Sequence, residues 1–202
     1  MHLAFQTLAL SIQLLRVQRL RDARYPPPAR CYNPLMRFAG LALLLATVAV
    51  AQGGPDIAAQ KAAMQKLSFL VGTWTGEGTS YMQSGPVKFQ QTESVQYKLD
   101  GLVMTIEGAG RNAAGAVAFR AFATVAYDDA SRTYHFRAYN DGRYIDTNLK
   151  VLDGGFEWGY QAGPANVRFT MRLTDKGEWS ETGEVVIGNA PPRKTLEMIV
   201  RK

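Results

Sequence analysis

The sequence predicts an all-β protein: roughly ten antiparallel strands closed into a barrel, with one short helix at its N-terminal side. Three observations predict it. Nine turn signals punctuate the chain after Val71 at short, regular intervals. The runs between them alternate apolar and polar residues with the period of two that a strand requires. No second helical stretch follows, so nothing supplies the crossover that parallel strands need.

Residues 1–51 lie ahead of that pattern. Within 36–52, MRFAGLALLLATVAVAQ, a positive start at Met36-Arg37 leads into an apolar stretch from Phe38 to Val48 and a small-x-small site at Ala49-Val50-Ala51. This is the layout of a signal peptide over residues 36–51, cleaved near Ala51. The competing reading is a membrane anchor, but the apolar run falls short of the ~20 residues that span a bilayer. No Cys stands at the cleavage point, which argues against a lipoprotein. In residues 1–35 the basic cluster Arg16–Arg24 follows its apolar stretch, the reverse of signal-peptide order, and Tyr25-Pro26-Pro27-Pro28 comes next. That segment is expected to be either a spurious extension, with translation beginning at Met36, or a real one, disordered or membrane-associated. The mature protein is expected in the periplasm or outside the cell, without a stable membrane span.

The leader also accounts for the charge. The chain has 202 residues with 23 Lys/Arg and 17 Asp/Glu. Six of the basic residues and one acid lie in 1–51, leaving 17 basic and 16 acidic residues for 52–202. A nucleic-acid reading based on charge loses its basis with the leader, because the remainder is nearly neutral, and no nucleic-acid partner is expected. The single cysteine, Cys31, lies there too. Residues 52–202 therefore offer no disulfide, no thiol nucleophile and no cysteine-based metal site. They must rely on their core, for which about 150 residues suffice.

Residues 52–66 are expected to form a linker, Gly53-Gly54-Pro55, and a short helix in DIAAQKAAMQK, composed of good helix formers. The helix should lie across one end of the barrel, which occupies residues 67–202. In the first strand Trp74, Gly76 and Gly78 share a face. The glycines relieve crowding where a strand coils sharply, and the large ring can fill the closed end. In 88–99, Phe89, Gln91, Glu93, Val95, Tyr97 and Leu99 share one face, and the other is wholly polar. Val117, Phe119, Ala121, Ala123, Val125 and Tyr127 share a face in the next clear run, as do Val167, Phe169, Met171 and Leu173 further on. The turn signals are Ser84-Gly85-Pro86, Asp100-Gly101, Asn112–Gly115, Asp128-Asp129, Asn140-Asp141-Gly142, Asp153-Gly154-Gly155, Gly163-Pro164, Asp175-Lys176-Gly177 and Gly188-Asn189. Such residues tolerate the backbone of tight turns.

Residues 67–78, LSFLVGTWTGEG, resemble the opening of the lipocalin-like barrels related to nitrobindin. They are most similar to an exported bacterial branch of that family, a domain of unknown function. The resemblance runs over roughly residues 62–202, through Tyr127-Asp128, Tyr134–Tyr139, Gly155–Gly159, Trp179–Glu184 and Leu196–Met198. It implies a roughly ten-stranded barrel with an internal cavity. Nitrobindins hold haem through a histidine near the chain's end. Residues Arg193–Lys202 contain none, so haem does not carry over and no cofactor is expected. His135, the one histidine after the leader, is the residual candidate ligand; it shares a face with Arg137 and Tyr139, away from the apolar wall. A lone histidine does not make a metal site.

The apolar strand faces define a candidate ligand cavity: Phe89, Val95, Tyr97, Met104, Phe136, Trp158, Phe169, Met171 and Trp179, with Gln91 and Glu93 as polar contacts. A mostly apolar wall with a few convergent polar groups is the usual form of a small-molecule site. The expected partner is a small apolar or amphipathic molecule. Neighbours do not fix the face of Met104, because Val103 and Thr105 break the alternation. Glu93 is expected to titrate high unless an arginine compensates it. Glu181 shares a face with Trp179 and Val185, and two inward carboxylates could hold a cation or act as acid and base. Three readings stay open: a ligand-binding barrel, an enzyme or isomerase using Glu93 in the same cavity, and a structural or partner-binding barrel with a filled interior. No G-x-S-x-G, P-loop, dinucleotide or zinc motif is present. Trp74 is expected to plug one end, with Arg201 of the last strand over its ring.

Overall fold

A computed structural model describes residues 54–202. The expected signal peptide, its cleavage site and the extension over 1–35 lie outside the described residues. Helix α1 spans Ile57–Gln65, and a single 3₁₀ turn, Ser68–Leu70, leads into the sheet. Ten strands follow: β1 Gly72–Met82, β2 Gly85–Lys98, β3 Val103–Arg111, β4 Val117–Asp128, β5 Thr133–Asn140, β6 Arg143–Leu152, β7 Gly155–Ala162, β8 Ala165–Leu173, β9 Trp179–Ile187 and β10 Arg193–Arg201. Each pairs antiparallel with the next, and β1 pairs with β10, closing the barrel. At the closure Thr75 stands opposite Arg201 and Ser80 opposite Leu196. Closure matters physically because it leaves no sheet edge to pair with another chain.

The turn chemistry sits where the sequence places it. All nine turn signals fall at or beside the nine hairpin connections, and Gly115, Gly142, Gly154, Gly163, Gly177 and Gly188 take the positive φ those turns need. One expectation fails at a turn. Leu99 does not continue the inner face of β2; the strand ends at Lys98, Leu99 and Asp100 both take positive φ (48° and 54°), and the Leu99 side chain is exposed. The backbone reverses one residue before the alternation would have placed Leu99 inside.

Two glycines opposite large groups explain the opening motif. A Cβ on Gly76 would lie 2.1 Å from the Ile199 carbonyl oxygen, so the absence of a side chain lets β10 pass close. A Cβ on Gly78 would lie 2.2 Å from the Phe89 ring, which occupies the space over that glycine. The same device recurs in two other strand pairs. Phe119 covers Gly110 across β3 and β4, and Phe169 covers Gly183 across β8 and β9. Large rings thereby enter the barrel at levels where their cross-strand partners have no bulk.

Helix α1 closes one end. Asp56 caps it, accepting from the Ala59 N–H at 2.9 Å. Asp129, in the β4–β5 turn, accepts from the Asp56 N–H at 2.8 Å and from Gln60 Nε2 at 2.6 Å. At the other end of the helix the Tyr97 and Tyr134 hydroxyls donate to the carbonyls of Met64 (2.7 Å) and Ala63 (2.8 Å). Beneath it Met64, Leu67 and Leu70 pack with Trp74, Val95, Met104, Val125, Phe136, Met171, Trp179 and Val200 in one core cluster. Each such side chain contributes about 1.5–3 kcal/mol by leaving water. Met104 is fully buried, which settles its face as inward.

Candidate functional site

The barrel interior divides into two parts. Toward α1 it is solid. The Trp74 and Trp179 rings meet edge to face at 5.7 Å, and Phe156 meets Trp179 at 6.0 Å. The Trp74 indole N–H donates to the Leu70 carbonyl at 2.7 Å, so the plug is also hydrogen-bonded. The cation over its ring is not Arg201. Lys202 Nζ lies 4.7 Å from the Trp74 centroid and donates to the Phe69 carbonyl at 3.0 Å. Arg201 stands at an outward position of β10 and pairs with Glu178 at 2.6 Å. The alternation decides this: Val200 points inward, so Arg201 must point out, and the chain end beyond the strand is free to fold Lys202 over the indole.

Away from α1 the interior is mixed: Ala162, Ala165, Val167, Phe169 and Val185 are buried, the last four in a second core cluster, while other inward side chains are half-buried. Phe89, Phe119, Ala121, Ala138, Ile145, Trp158, Tyr160 and Leu196 occupy inward strand positions yet keep part of their surface. Solvent therefore reaches those side chains at that end. Its wall is aromatic. Trp158 stacks on Phe169 at 4.4 Å and lies 4.7 Å from Phe136, while Phe89 and Phe119 meet edge to face at 5.8 Å.

Between the two parts lie the polar groups. Gln91, Glu93 and Glu181 are all buried. Gln91 Nε2 donates to Glu93 Oε1 at 2.6 Å. The Glu93 carboxylate covers Gly108, where a Cβ would lie 2.9 and 3.0 Å from its two oxygens. Glu181 Oε2 accepts from the Trp179 indole N–H at 3.0 Å. Burial first, and then the neighbouring charge of Glu181, push the Glu93 carboxyl up to about 8; the Gln91 hydrogen bond opposes this. Burial pushes Glu181 up to about 7 against the opposing Trp179 hydrogen bond. No arginine or lysine compensates either group among the described residues. One atom is left over. Gln91 Oε1 is buried with no hydrogen-bond partner, a state that costs about 1–3 kcal/mol.

These placements sort the sequence expectations. Of the expected lining, Gln91 and Glu93 meet through a hydrogen bond, Trp158 and Phe169 stack, and Phe89 meets Phe119. Val95, Met104, Met171 and Trp179 belong to the solid end, and the Tyr97 hydroxyl is committed to α1. Phe136 joins the two parts through Trp158. Phe119, Tyr160 and Leu196 join the open wall without having been singled out as lining; the alternation of β4, β7 and β10 was the available signal. His135 is exposed on the outer wall, 3.8 Å from Asp128. It lines a groove of about 540 Å³ with Arg137, Tyr139 and Asp146. A second outer groove of about 440 Å³ involves Phe122, Arg120 and Tyr139, and neither groove includes Gln91, Glu93 or Glu181.

The fold is that of a lipocalin-like closed antiparallel barrel with an aromatic wall and buried carboxyl groups. No protein-family model matches the chain, and no curated protein matches it. Among solved structures it is similar to the crystal structure of Rv2717c from M. tuberculosis, with a TM-score of 0.53 and 15% sequence identity, over 69% of this chain and 96% of that one. At that identity the likeness shows the fold alone.

Proposed function

We propose that the protein is an exported lipocalin-like barrel that binds a small amphipathic molecule in the half of its interior away from α1. The observation that carries this reading is the unpartnered, buried Gln91 Oε1 beside Glu93, at the foot of a wall of inward rings of which Phe89, Phe119 and Trp158 keep part of their surface. Buried polar groups are almost always paired, so an acceptor kept free at such a place suits a ligand's hydrogen-bond donor. Trp158, Phe169, Phe89 and Phe119 would take the apolar body, and Gln91 and Glu93 the polar head. A purely structural barrel would have little use for inward rings that stay solvated at one end. Haem is not the expected ligand, since the only described histidine lies on the outer wall.

Titration with N-phenylnaphthylamine, a neutral apolar fluorophore, tests the reading. Saturable one-site binding that quenches tryptophan emission and is competed by unlabelled amphiphiles is the expected result. No saturable binding of any apolar probe would leave the structural reading in its place.

A further inference from the structure

The interior polar cluster has an asymmetry of charge. Two buried carboxyl groups, Glu93 on β2 and Glu181 on β9, hold inward positions on strands that closure through β1 and β10 brings toward each other. The other titratable groups at inward positions of the surrounding strands are the phenols of Tyr97, Tyr127, Tyr134 and Tyr160, and Arg143 at the start of β6 and Arg193 at the start of β10, opposite Val185, are exposed at the rim. No cation is supplied to the pair from within the described chain. The neutral donors that do reach it are few: one amide N–H from Gln91 and one indole N–H from Trp179. Gln91 adds a further acceptor, Oε1, which is itself buried and unpartnered. Once a carboxyl gives up its proton, the cluster offers more acceptors than donors and carries a negative charge with no cation beside it, at the base of an apolar aromatic wall.

We infer that the ligand's polar head is a primary ammonium group, held by Glu93, Glu181 and Gln91 Oε1. This rests on the ligand-binding reading above and narrows it to one chemical class, amphipathic amines. An ammonium head has three N–H donors and no acceptor, which complements three acceptors. Its charge supplies what the two carboxyl groups lack. Its apolar body stacks along Trp158 and Phe169, and a cation near those rings gains further attraction from their faces. An anionic head would meet two carboxyl groups and no cation. A hydroxyl head would donate to one acceptor and bring no charge.

The proton balance follows. In the ligand-free barrel at neutral pH burial keeps Glu93 largely protonated and Glu181 partly so. Entry of an ammonium ion forms an ion pair with a carboxylate, so a carboxyl proton leaves to the solvent while the amine keeps its own. Affinity for the amine must therefore rise with pH until the carboxyl has lost its proton in the free protein. The slope is at most about tenfold per pH unit for each proton released.

Calorimetric titration of the whole protein with octylamine, octanol and octanoate, in two buffers of different ionisation heat, tests this. At pH 8 octylamine is expected to bind at least about tenfold more tightly than octanol, as a charge-assisted contact replaces a neutral one. Octanoate should bind most weakly. Octylamine binding should release up to one proton at pH 6, whereas octanol binding should release none. Glu93→Gln and Glu181→Gln should erase the amine's advantage and keep octanol binding. Octanol or octanoate binding as tightly as octylamine at pH 8 would overturn the inference and leave the ligand-binding reading intact. If none of the three binds, both fall. Should the glutamine variants not fold, the proton count on the wild-type protein decides alone.

Discussion

The carboxylate of Glu93 occupies the space in which a side chain on Gly108 would begin. The two residues face each other across β2 and β3, and an added Cβ would lie 2.9 Å from Glu93 Oε1 and 3.3 Å from Gln91 Nε2. The glycine is the seat of the polar cluster. Because the obstructing atoms are ends of flexible side chains, Gly108→Ala should fold, with Glu93 and Gln91 pushed from their present positions. A fall in probe affinity of tenfold or more, with a melting shift of only a few degrees, is the expected outcome. Equal loss of stability and affinity would mean that Gly108 serves packing alone.

Stability should depend on pH in an unusual direction. Both carboxyl groups hold protons in the folded state that the unfolded chain, with ordinary values near 4.5, gives up. Between pH 4.5 and about 7 to 8 the folded state therefore binds more protons, and stability falls as pH rises. The slope reaches at most about 1.4 kcal/mol per pH unit per group and vanishes above the folded values. Urea unfolding across this range checks it. Glu93→Gln should remove its share of the slope and raise stability at pH 8, whereas a slope of opposite sign would show that the pair is ionised in the folded state.

Trp74 is the structural keystone of the closed end. It is 2% exposed, hydrogen-bonded to Leu70 and packed edge-on against Trp179. Trp74→Ala should cost about 3–5 kcal/mol. Lys202→Met, which removes the cation above the ring, should cost only about 0.5–1 kcal/mol. Arg201→Met breaks a partly exposed pair with Glu178 and should cost about 1 kcal/mol or less. Of the two chain-end variants, Lys202→Met should shift tryptophan emission more. The reverse order would return Arg201 to the ring.

Helix α1 is held by phenol hydroxyls as well as by burial. Tyr97→Phe and Tyr134→Phe each delete a donor to a helix carbonyl and should cost about 1 kcal/mol apiece. Hydrogen exchange should localise the loss to residues 57–66. A loss spread over the strands would show that the helix and barrel unfold as one unit.

The fold was legible because its signals are local. Glycine-bearing turns at eight of the nine hairpins, Asp128-Asp129 at the other, and the period-two faces of β2, β4 and β8 leave few alternatives to an antiparallel meander. Glu93 was legible for the same reason, as an acid on an apolar face. What the strand pattern could not carry was distance around the barrel. That Glu93 and Glu181 share one space depends on closure, which brings β2 and β9 near each other through β1 and β10. The division of the interior into a solid and an open end depends on where α1 docks, so the solid-end residues Met104 and Met171 looked no different from Phe89 or Trp158. The cation above Trp74 was misplaced by one residue, because alternation ends with the strand and Lys202 lies just past it.

Binding of N-phenylnaphthylamine to an interior-blocked variant tests the central claim most directly. Ala121 is an inward position of β4, directly opposite Gly108, and is half-buried in the open part of the barrel. Ala121→Trp should fill that space while the strand content, followed by circular dichroism, stays at the wild-type level. The expected result is saturable one-site binding to the wild type and none to Ala121→Trp. Unchanged binding to a folded Ala121→Trp would place the probe on the outer wall and contradict an interior ligand site.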